Sequence, residues 1–207
     1  MTKKALIKDP LNVIITGVGG QGNVMISLTI GSALVRQGYV VTVGETYGAS
    51  QRGGPVMSHL RASKDTQYSP LILEGQADVI LGMEPSETLR ILGKYGNPKV
   101  VTLFNPRPIY SVDVISGDAE YPDLDKLIDM IKGLSAKTWM VNATEEAERM
   151  GRPIVANTIL IGSLIGLGVL PLDREAMMVE LKDRFPKAFE LNMKAFDRGM
   201  ELIKGQS

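Results

Sequence analysis

Cysteine is absent from the 207 residues, histidine and tryptophan occur once each, and no charge of either sign is in excess, with 23 Lys+Arg against 23 Asp+Glu. Without thiols the chain can form no disulfide, no thiolate-ligated zinc and no conventional iron-sulfur cluster, and it has no thiol nucleophile. Redox metal chemistry, if there is any, must sit on another chain, and no metal site is evident in this one. The balanced charge gives no pull towards nucleic acid or an anionic membrane surface. Long hydrophobic runs are also missing. The richest, Ile154 to Leu170, contains Asn157, Thr158 and Ser163 and falls short of the roughly 18 to 20 apolar residues a membrane span requires, so it reads as a buried helix. The N-terminus, MTKKALIKDPLN, has lysines but no apolar segment or small-residue cleavage signal after them, so a cytoplasmic protein is expected. The lone histidine, His59, lies in a short strand with no obvious orienting partner, and a partly buried strand histidine outweighs a catalytic one there.

What is present is glycine, placed where it changes the chain's course. Asn12 to Thr16 is a short apolar run that leads into Gly17, Gly19, Gly20, Gln21 and Gly22 and then into the helix-like ISLTIGSALVRQG. Strand, tight glycine turn and helix form the opening of a Rossmann-like βαβ unit. Glycines let the backbone bend and leave amide N–H groups uncovered at a helix N-terminus, where they and the helix dipole can hold an anion. Ile26, Ile30, Ala33 and Leu34 share one face of that helix, which should pack on the sheet, and Gly38 stops it.

Tyr39 to Val43 reads as a second strand, apolar and β-branched as a parallel strand covered on both sides would be. Glu45 follows, 45 − 22 = 23 residues beyond Gly22, close to the offset at which a dinucleotide fold places its ribose-binding acid. A glycine turn with such an acid suggests NAD, yet such turns often serve only as phosphate loops or structural turns. Next comes TYGASQRGGPVMSHLR, a polar loop in which Ser50, Gln51, Arg52, Gly53 and Gly54 suit an anion or cofactor, Arg52 as a forked donor and the glycines for close main-chain approach. Val56 to Arg61 should pair antiparallel or near an edge.

The α/β rhythm then repeats. Strands are expected at Ala77 to Leu81, Lys99 to Phe104 and Thr138 to Val141, a less regular extended piece at Val112 to Ile115, and helices from Glu84 through Tyr95, from Asp123 to Lys132 and over TEEAERMG. In an open parallel sheet the strand ends converge on one crevice, so Met83, Glu84, Asn105 and Asn142 join the candidate rim, although Asn142 equally suits a helix cap. From Asn157 onward the pattern is helical. Gly162 and Gly166 share a face open to close approach by another backbone, within the chain or across a subunit boundary. Phe189, Met193, Phe196 and Met200 form a stripe that is core or a partner's dock. The expected fold is one α/β domain, a Rossmann-like and mostly parallel sheet flanked by helices over 12–150, with a helical segment over 152–204.

GVGGQG, YGASQRGGPVMSHLR, GRPIVANTILIGSLIGLGVLPL and FPKAFELNMKAFDRG together carry a likeness. The chain resembles the gamma subunit or domain of the 2-oxoacid:ferredoxin oxidoreductases, nearest the indolepyruvate type, in which this piece is the beta subunit. The resemblance implies an accessory subunit of a complex that oxidatively decarboxylates a 2-oxo acid to an acyl-coenzyme A. Thiamine diphosphate, magnesium and iron-sulfur clusters are then expected on partner subunits, and electrons pass through the complex to ferredoxin. This chain lacks the GDG motif and downstream asparagine of a thiamine site. The likeness implies that Gly17, Gly19, Gly20, Gln21, Gly22 and Ser50 to Gly54 face the shared active site or a coenzyme A path. It assigns no catalytic residue. A stand-alone NAD(P)- or coenzyme A-binding protein remains the alternative, and a homodimer of the isolated chain stays open.

Overall fold

In the computed structural model, residues 4–48, 54–110 and 112–206 are described. Ser50, Gln51, Arg52 and Gly53 lie outside them. The chain forms β1 (Leu11–Val18), α1 (Asn23–Arg36), β2 (Val40–Tyr47), β3 (Pro55–Ser63), β4 (Val79–Gly82), α2 (Pro85–Tyr95), β5 (Val101–Phe104), α3 (Val112–Ser116), α4 (Leu124–Leu134), β6 (Lys137–Met140), α5 (Ala143–Arg149), α6 (Ala156–Gly166), α7 (Arg174–Arg184) and α8 (Phe189–Lys204). Short 3-10 turns at Pro153–Val155 and Pro186–Ala188 lead into α6 and α8.

The six strands form one sheet in the order β2-β3-β1-β4-β5-β6. β1 pairs parallel with β4, β4 with β5 and β5 with β6, whereas β3 runs antiparallel to both β1 and β2. Val56 to Arg61 therefore does pair antiparallel but does not lie near an edge, because β3 is inserted between β1 and β2. That insertion moves β2 to the margin of the sheet. Its β-branched residues do not make it a parallel strand covered on both faces: Val40 to Glu45 are only half-buried, and Thr46 and Tyr47 are exposed. The piece around Val112 to Ile115 is not extended but belongs to the short helix α3.

Alternation along each strand sorts side chains between two cores, since successive Cβ atoms point to opposite faces. Val13, Ile15, Leu60, Leu81 and Leu103 face the larger core, with α1, α6, α7 and α8. Ile14, Met57, Ile80 and Phe104 face the smaller one, with Ile91 and Leu92 of α2 and Ile131 of α4. The Met and Phe stripe of α8 is mostly core: Met193 and Phe196 are buried in the larger cluster, while Phe189 and Met200 pack at its margin.

The Ile154 to Leu170 stretch becomes the 3-10 turn and the buried helix α6. A Cβ on Gly162 would strike the Phe196 carbonyl, one on Gly199 the Ile159 carbonyl, and one on Gly166 would lie 3.3 Å from Met200 Cα. The close approach implied by the spaced glycines is therefore made within the chain, between α6 and α8. Among the described residues no helix is long and apolar enough to cross a membrane.

Candidate functional site

β1 ends at Val18, and α1 starts at Asn23 with Gly22 as its N-cap in the left-handed region (φ 96°, ψ 28°) and without any side-chain cap. Gly20 is also left-handed, at φ 106°. A side chain in either conformation would bring Cβ against its own carbonyl, which is why glycine stands at both. The Gly19 N–H donates to Gly54 O at 2.8 Å and the Gln21 N–H to Val18 O at 3.1 Å. Among the described residues the Gly20 and Gly22 amides have no acceptor, and the first turn of α1 carries no acidic residue. The positive end of the helix dipole is thus uncovered at the turn.

Two side chains brace this turn from beneath and from one side. Gln21 folds inward, accepting from the Val18 N–H through Oε1 at 2.7 Å and donating through Nε2 to Met83 O at 3.0 Å. It occupies the space a Cβ on Gly17 would need, 2.5 Å from Oε1. Asn157, in the first turn of α6, donates through Nδ2 to Gln21 O at 2.8 Å and would lie 2.5 Å from a Cβ on Gly22. The composition of the turn is therefore dictated from both sides, by its own glutamine and by an asparagine far away in sequence.

The turn separates two hollows. One, of about 550 Å³, opens between the turn and the C-terminal helices, with Met25, Met83, Leu160, Phe185 and Leu191 as apolar walls and Asn105 and Asn157 among its polar lining. The other, of about 360 Å³, is bounded by Gly19, Gly20, Asn23, Glu45, Tyr47 and Val56. The Glu45 carboxylate accepts from Ser27 Oγ at 3.1 Å and from Ser58 Oγ at 2.6 Å. Both of its oxygens already serve hydroxyls of the chain itself, which weakens its reading as a ribose-binding acid.

The candidate rim residues divide. Met83 and Asn105 reach the larger hollow. Glu84 is fully buried but turned away, capping α2 through the Glu87 N–H at 2.9 Å, accepting from Ser86 Oγ at 2.7 Å and holding the Tyr121 hydroxyl. Burial, reinforced by that carboxylate, pushes the Tyr121 phenol far above its ordinary value. Asn142 sits at the N-cap of α5 without a side-chain cap bond and is exposed. His59 is buried away from solvent, accepts at Nδ1 from the Ile72 N–H at 3.2 Å and lies 3.4 Å from Thr46 Oγ1 through Nε2. Burial and then the nearby Arg61 charge hold its pKa below the ordinary value, as for a structural histidine kept neutral.

Among the described residues no group of three or more His, Cys, Asp or Glu side chains converges as a metal ion would require. Gly54 is brought against Gly19, so the two glycine motifs meet; the structure does not describe Ser50 to Gly53. Sequence reasoning placed Asn105 on the rim, where it is found, and missed Asn157 as a brace. The only signal for Asn157 was its interruption of an apolar run.

The profile of the family described as pyruvate ferredoxin/flavodoxin oxidoreductase matches residues 12–202. The chain is similar to the indolepyruvate oxidoreductase subunit IorB of Archaeoglobus fulgidus, 37% identical over 91% of this chain and 93% of the relative. It is also similar to the subunit of the same name from Pyrococcus horikoshii, 38% identical over 93% and 96%. Among solved structures, the gamma subunit of a keto/oxoacid ferredoxin oxidoreductase from Geobacter sulfurreducens shares the fold, with a TM-score of 0.68 at 24% identity over 94% of this chain and 99% of that one.

Proposed function

The chain belongs to the pyruvate ferredoxin/flavodoxin oxidoreductase family, and from that premise we propose that it works as the small, non-catalytic subunit of an indolepyruvate-type 2-oxoacid:ferredoxin oxidoreductase. The observation that carries this reading is the match to IorB subunits over more than nine-tenths of both chains. In the complex a partner subunit supplies thiamine diphosphate, its magnesium and the iron-sulfur clusters, and passes electrons to ferredoxin. This chain, which has no cysteine, contributes a surface beside the reaction. The larger hollow and the uncovered Gly20 and Gly22 amides fit an anionic, elongated ligand such as coenzyme A, with phosphate near the amides. Arg52 is the cation proposed to assist it from the neighbouring loop.

Reconstitution tests the reading. The purified chain alone should show no oxidoreductase turnover, and addition of the thiamine-bearing subunit should restore it. Turnover by this chain alone, or full activity of the partner without it, overturns the assignment. Within the active complex, Arg52→Ala should raise the coenzyme A requirement about 10-fold, the effect of losing one charge-assisted phosphate contact of about 1.5 to 3 kcal/mol. An unchanged requirement removes Arg52 from that role and leaves the subunit assignment standing.

A further inference from the structure

The two margins of the sheet differ in how they are protected. β6 is four residues long, opens on Lys137, and has its last carbonyl, Met140 O, covered by Gln206 Nε2 at 2.9 Å. β2, at the other margin, runs for eight residues, VVTVGETY, with no lysine, arginine or proline and no bulge in its register with β3. Short edges, lysine, proline and bulges are the usual guards against pairing with another strand, and β2 has none of them. The Gly48 N–H donates to Pro55 O at 2.9 Å, and bonded pairs alternate along an antiparallel ladder. Counted back from that pair, Val41, Val43, Glu45 and Tyr47 turn their main-chain N–H and C=O groups away from β3. Among the described residues no further strand takes them up.

The helix beside this margin is apolar on its outer face as well as its inner one. Val24, Leu28 and Val35 of α1 are exposed, at i, i+4 and i+11, whereas a helix apolar all round is ordinarily buried. Leu28 and Val35 line a groove of about 430 Å³ together with Val41 and Val43 of β2, so the open strand and the open helix face are one surface. Charge decides what can cover it. A contact about a twofold axis sets a patch against itself, where like charges would oppose each other. β2 and α1 hold one acid, Glu45, turned onto Ser27 and Ser58, and one base, Arg36, bonded to Glu180 and Asp183. Between them the surface is uncharged, as a self-contact requires.

We infer that this surface joins two copies of the chain, β2 pairing antiparallel with β2 of a second copy about a twofold axis at Gly44. That register sets Val41 opposite Tyr47 of the second copy and Val43 opposite its Glu45, so every outward main-chain group finds a partner and no charge meets its like. α1 lies over β2 and β3. With strands about 4.8 Å apart, continuing the sheet brings the two α1 helices to about 10 Å, a packing distance for helices. Ser27 and Gly31 stand level with Glu45 and Val43, so the axis brings Leu28 of the two copies together. Pairing of this kind needs no other subunit and stands apart from the oxidoreductase reading.

Sedimentation equilibrium of the full chain tests the dimer. At micromolar concentration the mass should be twice that of one chain. Leu28→Lys combined with Val35→Lys, both at exposed positions, should weaken the dimer at least about 100-fold by burying ammonium groups without counter-charges, and should leave the circular dichroism spectrum unchanged. Cross-linking reads the register, and the absence of native cysteine makes it clean. Thr42 faces Thr46 of the second copy in a non-hydrogen-bonded pair, where Cα atoms about 4.5 Å apart suit a disulfide. The oxidised double variant Thr42→Cys, Thr46→Cys should therefore run as a covalent dimer, and neither single variant should. A monomer at micromolar concentration, a dimer that keeps its affinity with both lysines, or cross-linking no stronger in the double variant than in either single one overturns the proposal. Should the lysine variant not fold, the mass of the unaltered chain and the cross-linking decide. Reconstitution with the thiamine-bearing subunit plays no part in these measurements, so its success or failure is read separately.

Discussion

At the scale of single residues, the glycine turn shows how two glycines of one motif can be required for different reasons. Gly20 has φ 106° and nothing within 4 Å of a would-be Cβ, whereas Gly22 has φ 96° and Asn157 Nδ2 at 2.5 Å. Gly20→Ala should therefore cost only the backbone strain of the left-handed region, about 1–2 kcal/mol. Gly22→Ala adds displacement of Asn157 and loss of its bond to Gln21 O, about 1 kcal/mol more. Urea unfolding of the two variants measures the difference, and equal losses would mean that Asn157 yields freely. His59 supplies a pH prediction. Its pKa is lowered in the folded chain by burial and then by Arg61, whereas the unfolded chain titrates near 6.5. Above that value both states are neutral and stability is flat in this group. As pH falls through about 6.5 the unfolded state takes up the proton first, so stability drops until the lower folded value is passed. The same direction holds at lower pH for Glu146, whose pKa is lowered chiefly by its bond from Arg198. Its contribution is fully present above the carboxylate range and is lost progressively as pH falls from the unfolded value towards the lower folded one. Denaturant unfolding between pH 7.5 and 5 should thus show a loss that His59→Phe removes, on a lower baseline because the Ile72 N–H then lacks its acceptor. A loss that persists in the variant assigns it to other groups.

At the scale of elements, α6 and α8 meet backbone to backbone, and the glycines at the crossing are not equivalent. A Cβ on Gly162 or Gly199 would run into a backbone carbonyl of the facing helix, while Gly166 leaves 3.3 Å to Met200 Cα, which a slight shift relieves. Gly162→Ala should cost about 1–3 kcal/mol through overpacking. Gly166→Ala should cost under about 1 kcal/mol, since alanine also gains about that much in helix propensity. Chemical denaturation separates the two. The spacing of Gly162 and Gly166 made this crossing legible from sequence, as the run into Gly17 made β1 and its turn legible. What stayed hidden has one physical root: periodicity describes which faces of an element are apolar, not which neighbour it meets. Tyr39 to Val43 has the composition of a covered strand, and nothing local shows that β3 returns between it and β1. Val112, Val114 and Ile115 are β-branched and apolar, but the stretch is too short for period 2 to be told from period 3.6. Asn157 and Gln21 stand 136 residues apart, so their bond, and with it half the reason for Gly22, lies outside any local reading. Asn105 was legible as a residue at a strand end, but not as a buried acceptor without a partner.

At the scale of the whole molecule, the question is whether the helical segment over 152–204 is an appendage or part of the same cooperative unit as the sheet. Ile159, Leu160, Ile161 and Leu164 of α6 and Phe196 of α8 are buried in one cluster with Val13, Ile15, Leu81 and Leu103. Removing the segment would expose that whole face of the sheet, and a fully buried side chain of this kind contributes about 1.5–3 kcal/mol, so a few of them match the net stability of a typical domain. Polar ties run the same way. Asn157 holds the glycine turn, and Arg36 at the end of α1 bonds Glu180 at 3.1 Å and Asp183 at 2.5 Å on α7. The prediction is that residues 152–204 have no separate unfolding transition. Native-state hydrogen exchange should give the interior amides of α6 and α8 the same opening free energy as those of β1 and β4, because each set can open only by breaking the shared core. Exchange of α6 and α8 at markedly lower free energy, or two calorimetric transitions, would instead make the segment an independent unit docked on the sheet. Cooperativity also bears on function. If the segment opens only with the sheet, Asn157 and the wall of the larger hollow stay in place whenever the glycine turn is formed, and the site needs no ordering step when a ligand arrives.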